Sequence, residues 1–356
     1  MKKNLITLLA VLLVFAFAGS ATAAPDVLRL ISWTGYAPPE LIDKFKQETG
    51  ITVEVTFSNN EEIMSKLRAT RGGGFDLAQP SQDRISAVQA QYNIYQAIDY
   101  SKLDTDQIDP SMLKAVKKNT MVNGKSYGVP HVYGTSGLCI NRAKAPDVKD
   151  YKDMLDPKYT GRVSYRMRRP VLMAMGFSLG YDPFALYNDR AKYAEFLKDM
   201  EAAFIKGKPV VRNYYENADA LIESMRSGEL WFAMAWEQVS WKLHEENPDI
   251  DYVAPTSGAM AWIDTFAIPS KSENVDGAYK WINFSLRPEN AAVFTNKEKF
   301  GTASRNASKY MEANIKANFE RCFPQEVMAK MNWYPTVPPG LESMEAETLE
   351  KIRIAK

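Results

Sequence analysis

Residues 27–55, VLRLISWTGYAPPELIDKFKQETGITVEV, constrain the fold more than any other stretch of this chain. Val27, Leu28, Leu30 and Ile31 form a short apolar run that reads as a strand. Pro38 and Pro39 suit a helix start; Leu41, Ile42, Phe45 and Thr49 then fall on one helical face, and Gly50 supplies the stop. Residues 51–57 alternate as a second strand. A strand, a helix and a strand in so short a space predict a parallel βαβ unit. The unit leaves Trp33 in an exposed Trp-Thr-Gly-Tyr loop at the carboxyl end of its first strand, where open α/β sheets hold their ligands.

The same alternation continues. Asn59 or Asn60 can cap a helix through Ile63, Met64 and Leu67 that stops at Gly72-Gly73-Gly74, and residues 76–79 form a short strand leading to Pro80-Ser81-Gln82-Asp83. A second series follows Val129-Pro130, with strands at 136–141, 162–165, 231–236 and 262–269. Helices are expected around 171–179, 191–204, 219–226, 277–286 and 288–295. The expected fold class is α/β with two lobes, the chain crossing near Val132 and again near Asp264. Helices from about Lys309 onward are expected to return to the second lobe. A chain of roughly 330 residues behind a leader exceeds what one core usually holds, which also argues for two domains.

Lys2 and Lys3, the apolar residues 5–18 and Ala21-Thr22-Ala23 have the three parts of a cleavable secretory signal, residues 1–24. No later segment reaches the ~18–20 apolar residues of a transmembrane helix. Removing two lysines from a formal charge of +1 leaves about −1, too little basic charge to make nucleic acid or an anionic membrane the main partner. With no cysteine near the cleavage site to carry a lipid, the periplasm is the expected location. Cys139 and Cys322 are the two cysteines, read as separate buried thiols rather than a bridge.

Catalytic and metal chemistry find little support. His131 and His244 have no partners at metal-ligand spacing, Gly134-Thr135-Ser136-Gly137 is not a nucleophile elbow, and the Gly72–Gly74 run lacks a P-loop lysine. Neither a metal nor a cofactor is expected. A hydrolase working through carboxylates alone stays open, although no spacing selects a pair. Aromatic and acidic residues say more. Trp236 is followed directly by Glu237, and Trp262 and Asp264 share one face of a strand. A carboxylate in so apolar a strand needs a cation or hydrogen-bond donors. Either an internal salt bridge or capping contact meets it, or indole faces and carboxylates together receive an ammonium group.

Motifs spread along the chain carry a family resemblance. They are Ser32-Trp33-Thr34-Gly35-Tyr36-Ala37-Pro38-Pro39, Phe75-Asp76-Leu77, Pro80-Ser81, Lys158-Tyr159-Thr160-Gly161, Met234-Ala235-Trp236, Trp262-Ile263-Asp264, Ala267-Ile268-Pro269, and Ile282-Asn283-Phe284 with Leu286-Arg287-Pro288. In these the chain is similar to the periplasmic polyamine-binding proteins, the spermidine/putrescine receptors of ABC importers, over essentially the whole mature chain. The resemblance implies a two-lobe type II binding-protein fold, with residues 25–132 plus 265–308 in one lobe and 133–264 plus 309–356 in the other. It implies a hinged trap rather than an enzyme, one that hands a small amine-bearing ligand to an inner-membrane permease; a hinge that must open and close suits a monomer. By the same resemblance Trp33, Thr34, Tyr36 and Ser81 line the first-lobe side, and Trp236, Trp262 and Asp264 come from the second lobe and hinge, Asp264 taking the ammonium. Phe300 falls where the family has a tyrosine, and Asp83 where it has another aromatic.

Three departures bear on the ligand. Gly35 stands where polyamine binders carry a glutamate, and Arg166-Met167-Arg168-Arg169 where they carry acids; Glu237 is a compensating acid. Arg166 and Arg168 share a face if the strand before them continues, and their forks suit carboxylate, sulfonate or phosphonate groups. A solvated basic edge is the plainer reading of the same arginines. Two ligand classes therefore stand: a putrescine- or spermidine-type amine, and a compact zwitterion with its amine at Asp264 and its acid at Arg166 or Arg168.

Overall fold

Strand pairing follows the expected order. In the computed structural model, which describes residues 26–355, Val27–Ser32 lies between Thr52–Phe57 and Leu77–Ala78, parallel to both. The expected signal peptide, residues 1–24, lies outside the described residues. Helix Pro39–Thr49 buries Leu41 and Phe45 against this sheet and ends at Gly50, whose φ of 75° is the left-handed turn its lack of a side chain permits. Asn59, not Asn60, caps helix Asn60–Ala69 by accepting from the Glu62 N–H. Asn60 is thereby free to turn elsewhere.

The second sheet is built around one long strand, Val129–Asn141. Its carboxyl half pairs with Phe232–Trp236 and Ile250–Val253, and its amino-terminal part, Val129 to Ser136, with Met260–Phe266, all antiparallel. Val163–Ser164 runs parallel to Phe232–Trp236, so those two strands release the chain at the same edge. The strand expected at 136–141 begins seven residues earlier, although proline is rare inside a ladder. Pro130 is accommodated opposite Thr265, beside a register shift between Asp264 and Thr265.

The hydrophobic interior is divided along that strand pair. Val129 and Phe266 pack with Leu28, Phe45, Trp281 and Phe284, whereas Leu138 and Met260 pack with Tyr165, Phe204, Phe232 and Ile352. Val129–Asn141 and Met260–Phe266 thus pass from one core to the other, with Val132 opposite Asp264 at the passage. The carboxyl-terminal helix Leu341–Ile354 packs on Arg190–Gly207 beside the second core. Cys139 and Cys322 are both buried free thiols, and Cys322 Sγ accepts from Trp241 Nε1 at 3.3 Å.

Candidate functional site

Asp264 sits at the passage between the cores with only 3 % of its surface exposed. Its two oxygens accept from the Tyr36 hydroxyl at 2.6 Å and from Ser81 Oγ at 2.5 Å, and no ion pair forms there among the described residues. The internal salt bridge weighed from sequence is therefore absent, and neutral donors take its place. Ser81 is held in turn by Asn60, which donates to its Oγ at 2.9 Å and accepts from its N–H at 3.0 Å. Burial pushes the Asp264 carboxyl up to about 7, against the lowering effect of these two hydroxyls.

Glu237 is a second acid of the same kind. Trp236 ends its strand and caps helix Glu237–Glu246, so Glu237 opens the first helical turn in a fully buried position. Its Oε2 accepts from the Thr135 N–H at 2.8 Å and the Thr135 hydroxyl at 2.9 Å, yet burial still raises the carboxyl to about 8. Gly134 makes this possible. A Cβ there would fall 2.4 Å from the Trp262 ring and 2.8 Å from Glu237 Oε1.

Sequence reasoning missed a third acid, Glu298, which closes helix Pro288–Glu298. Its carboxylate lies over Gly35, where a Cβ would come within 2.6 Å of it, and Gly35 has a φ of 88°. The residue read as a lost acid is instead the space into which another element delivers one. Burial raises the Glu298 carboxyl as well. Tyr36 stands at the centre: burial, then Asp264, Glu237 and Glu298, hold its phenol well above the ordinary value.

Aromatic rings enclose this acidic region. Trp33, Tyr36, Trp262 and Phe300 belong to one cluster, with Trp33 6.4 Å from Tyr36 and Trp262 5.3 Å from Phe300 at 74°. Trp33 is fixed by its Nε1, which donates to the Gln79 carbonyl at 3.0 Å. The loop is less open than expected, because Thr34 alone of its four residues is well exposed and Tyr36 is buried. His131 packs under Tyr36 beside Phe266 and Phe294, and burial takes its imidazole down to about 3, so it serves as a neutral ring.

Trp236 stands in a neighbouring cluster, edge-on to Tyr215 and 5.0 Å beneath the Arg166 guanidinium. Burial lowers the Arg166 pKa, and its Nε has no hydrogen-bond partner. Arg168 is placed differently from the expectation. The strand ends at Ser164, so the two arginines share no strand face; Arg168 is exposed, precedes helix Arg169–Ser178 and pairs with Glu216 at 3.2 Å. No group of His, Cys, Asp and Glu suited to a metal occurs among the described residues.

The model of the bacterial extracellular solute-binding protein family matches residues 40–321. The chain belongs to this family. It is 28% identical over 356 aligned positions to the spermidine/putrescine-binding periplasmic protein of Escherichia coli (strain K12), spanning 96% of each chain. It is 26% identical to the putrescine-binding periplasmic protein PotF of the same organism, over 100% of this chain and 99% of that one. A solved structure of a putative spermidine/putrescine ABC transporter from Listeria monocytogenes superposes with a TM-score of 0.79 at 27% identity, covering 93% of this chain and 100% of that one. The mixed α/β, two-lobe binding-protein fold expected from the motifs is thus the fold of this chain.

Proposed function

We propose that this chain is the periplasmic receptor of an ABC importer and captures a small amine of the putrescine/spermidine type between its lobes. One observation carries the reading. Buried Asp264 and Glu237, with half-buried Glu298, act on Tyr36 without an ion pair among the described residues; only Glu298 feels nearby lysines, Lys242 and Lys297. Buried acids left in this way are costly, and an ammonium group relieves the cost. Asp264 anchors the ammonium, with Ser81 and Tyr36 orienting the carboxylate; Trp33, Trp262 and Phe300 face the methylene chain and the charge. Trp236, Thr34 and Glu237 complete the lining. The names of the relatives support the same class of ligand.

In this reading residues 25–132 plus 265–308 and residues 133–264 plus 309–356 are the lobes, with the hinge in the paired crossing strands. Closure follows because the ligand binds the closed arrangement better than the open one. Export by residues 1–24, a monomeric state and docking on an inner-membrane permease belong to the same proposal.

A second reading has its own observation. Arg166 Nε and Trp262 Nε1 are buried donors without acceptors, which suits a compact zwitterion with its acid group at Arg166. Titration calorimetry with putrescine, spermidine, short amino acids, aminosulfonates and aminophosphonates separates the two. Micromolar putrescine binding unchanged in Arg166→Ala, with the ligand recovered intact, supports the amine receptor. Binding of a zwitterion alone, lost in Arg166→Ala, overturns it, and turnover of the bound compound would make the chain an enzyme.

A further inference from the structure

A second buried ionic centre lies beside the site, and the ligand chemistry above does not use it. Arg169 opens helix Arg169–Ser178; its Nη1 donates to Asp83 Oδ2 at 3.0 Å and its Nε meets Glu345 Oε2 at 3.1 Å. Exposure of the three side chains is 7 %, 6 % and 3 % for Arg169, Asp83 and Glu345. The guanidinium lies 5.1 Å from the Tyr334 ring centroid and 5.8 Å from that of Tyr187, whose hydroxyl it also meets. Two carboxylates and two aromatic rings around one cation are the recognition chemistry of an organic cation. Here the protein fills it with its own side chain.

The centre joins the two halves of the molecule. Asp83 follows Ser81 by two residues and lies on the short turn Gln82–Arg84 at the carboxyl end of strand Leu77–Ala78. Arg169 follows Arg166 by three residues, and Glu345 comes from the carboxyl-terminal helix. Arg84 pairs with Glu342 alongside, and Thr336 Oγ1 donates to the Asn119 carbonyl at 2.9 Å. The segments that carry Ser81 and Arg166 into the site are therefore tied together just beyond it.

We propose that Arg169 is a resident cation that plugs this end of the cleft, so that the receptor accepts short diamines and turns away longer polyamines. The proposal rests on the amine reading given above. A longer chain reaching past Ser81 must either expel Arg169, leaving Asp83 with Arg84 alone at 3.3 Å and Glu345 with only the Tyr193 hydroxyl at 2.6 Å, or place an ammonium against a guanidinium. Either outcome penalises spermidine and spermine relative to putrescine.

Calorimetric titration of the wild-type protein with 1,3-diaminopropane, putrescine, cadaverine, spermidine and spermine tests this. Putrescine is expected to bind at least ~50-fold more tightly than spermidine, the scale of losing one buried charged partner. In Arg169→Met/Glu345→Gln, which removes the plug and one of its counter-charges, spermidine should gain at least ~10-fold on putrescine as the Asp83 carboxylate, left with Arg84 as its one cationic partner, can take an ammonium. Circular dichroism and a thermal melt establish that this variant is folded, and the wild-type ratio decides the proposal if it is not. Equal affinity of the wild type for putrescine and spermidine overturns the plug alone, as does an unchanged ratio in the folded variant. Absence of binding by every amine overturns the reading on which the plug rests.

Discussion

Gly35 shows at the scale of single residues how a sequence departure can mislead. Read alone, it removes an acid from the first loop; in the fold, its missing side chain admits the Glu298 carboxylate. Gly35→Ala should displace that carboxylate, and Glu298→Gln should neutralise it. Each is expected to weaken amine binding by roughly 10-fold, the worth of one charge-assisted hydrogen bond. The double variant should be little worse than either single one, because both act on one group. Additive losses in a double-mutant cycle would show that the two residues act separately. Most of the candidate site was legible because its residues recur in motifs: Tyr36 and Ser81 meet on the Asp264 carboxylate, and Trp33 and Trp262 share a cluster with Tyr36. Glu298 was not legible, because nothing local marks an acid at a helix end as facing a loop some 260 positions earlier. Arg168 misled for the opposite reason: a strand that stops early turns a shared face into an exposed helix start.

At the scale of elements, the paired strands Val129–Asn141 and Met260–Phe266 carry both the passage between the cores and half of the site. Periodicity located Met260–Phe266 well, since apolar residues flank a single aspartate. It missed the first seven residues of the longer strand, where Pro130 and Gly134 depress strand propensity. Both residues have positional reasons. Pro130 sits at the register shift, and Gly134 leaves room for the Trp262 ring and the Glu237 carboxylate. Gly134→Ala should therefore push Trp262 off its contact with Phe300. Overpacking of this kind costs about 1–3 kcal/mol, and ligand affinity should fall by ~10-fold or more. Tryptophan fluorescence and a ligand titration check this; wild-type affinity with an unchanged spectrum would contradict it.

At the scale of the whole molecule, the buried acids set how stability and binding respond to pH. In the folded chain Asp264 and Glu237 hold their protons up to about 7 and about 8, against ordinary values of 3.8 and 4.5. The folded state then binds more protons than the unfolded one across that window. The contribution of these groups to stability is thus greatest at low pH and is lost as pH rises through the folded values. A bound cation reverses the balance by favouring the ionised acids. The rise in melting temperature given by saturating putrescine should therefore be larger near pH 8.5 than near pH 5.5, by roughly twofold or more. A larger rise at the acid end would contradict the assignment. The two-lobe division itself was foreseeable from alternating strands and helices; the ties across it were not, because Asp83, Arg169 and Glu345 are far apart in the chain and meet only in the fold. The central claim is that unpaired buried carboxylates await an ammonium group, and titration calorimetry of putrescine at about pH 7.5 in two buffers of different ionisation enthalpy tests it directly. The account predicts stoichiometric binding with proton release, and an affinity at least ~100-fold lower in Asp264→Asn, the cost of removing one member of a buried pair. Binding without proton release and with the same affinity in Asp264→Asn would contradict it.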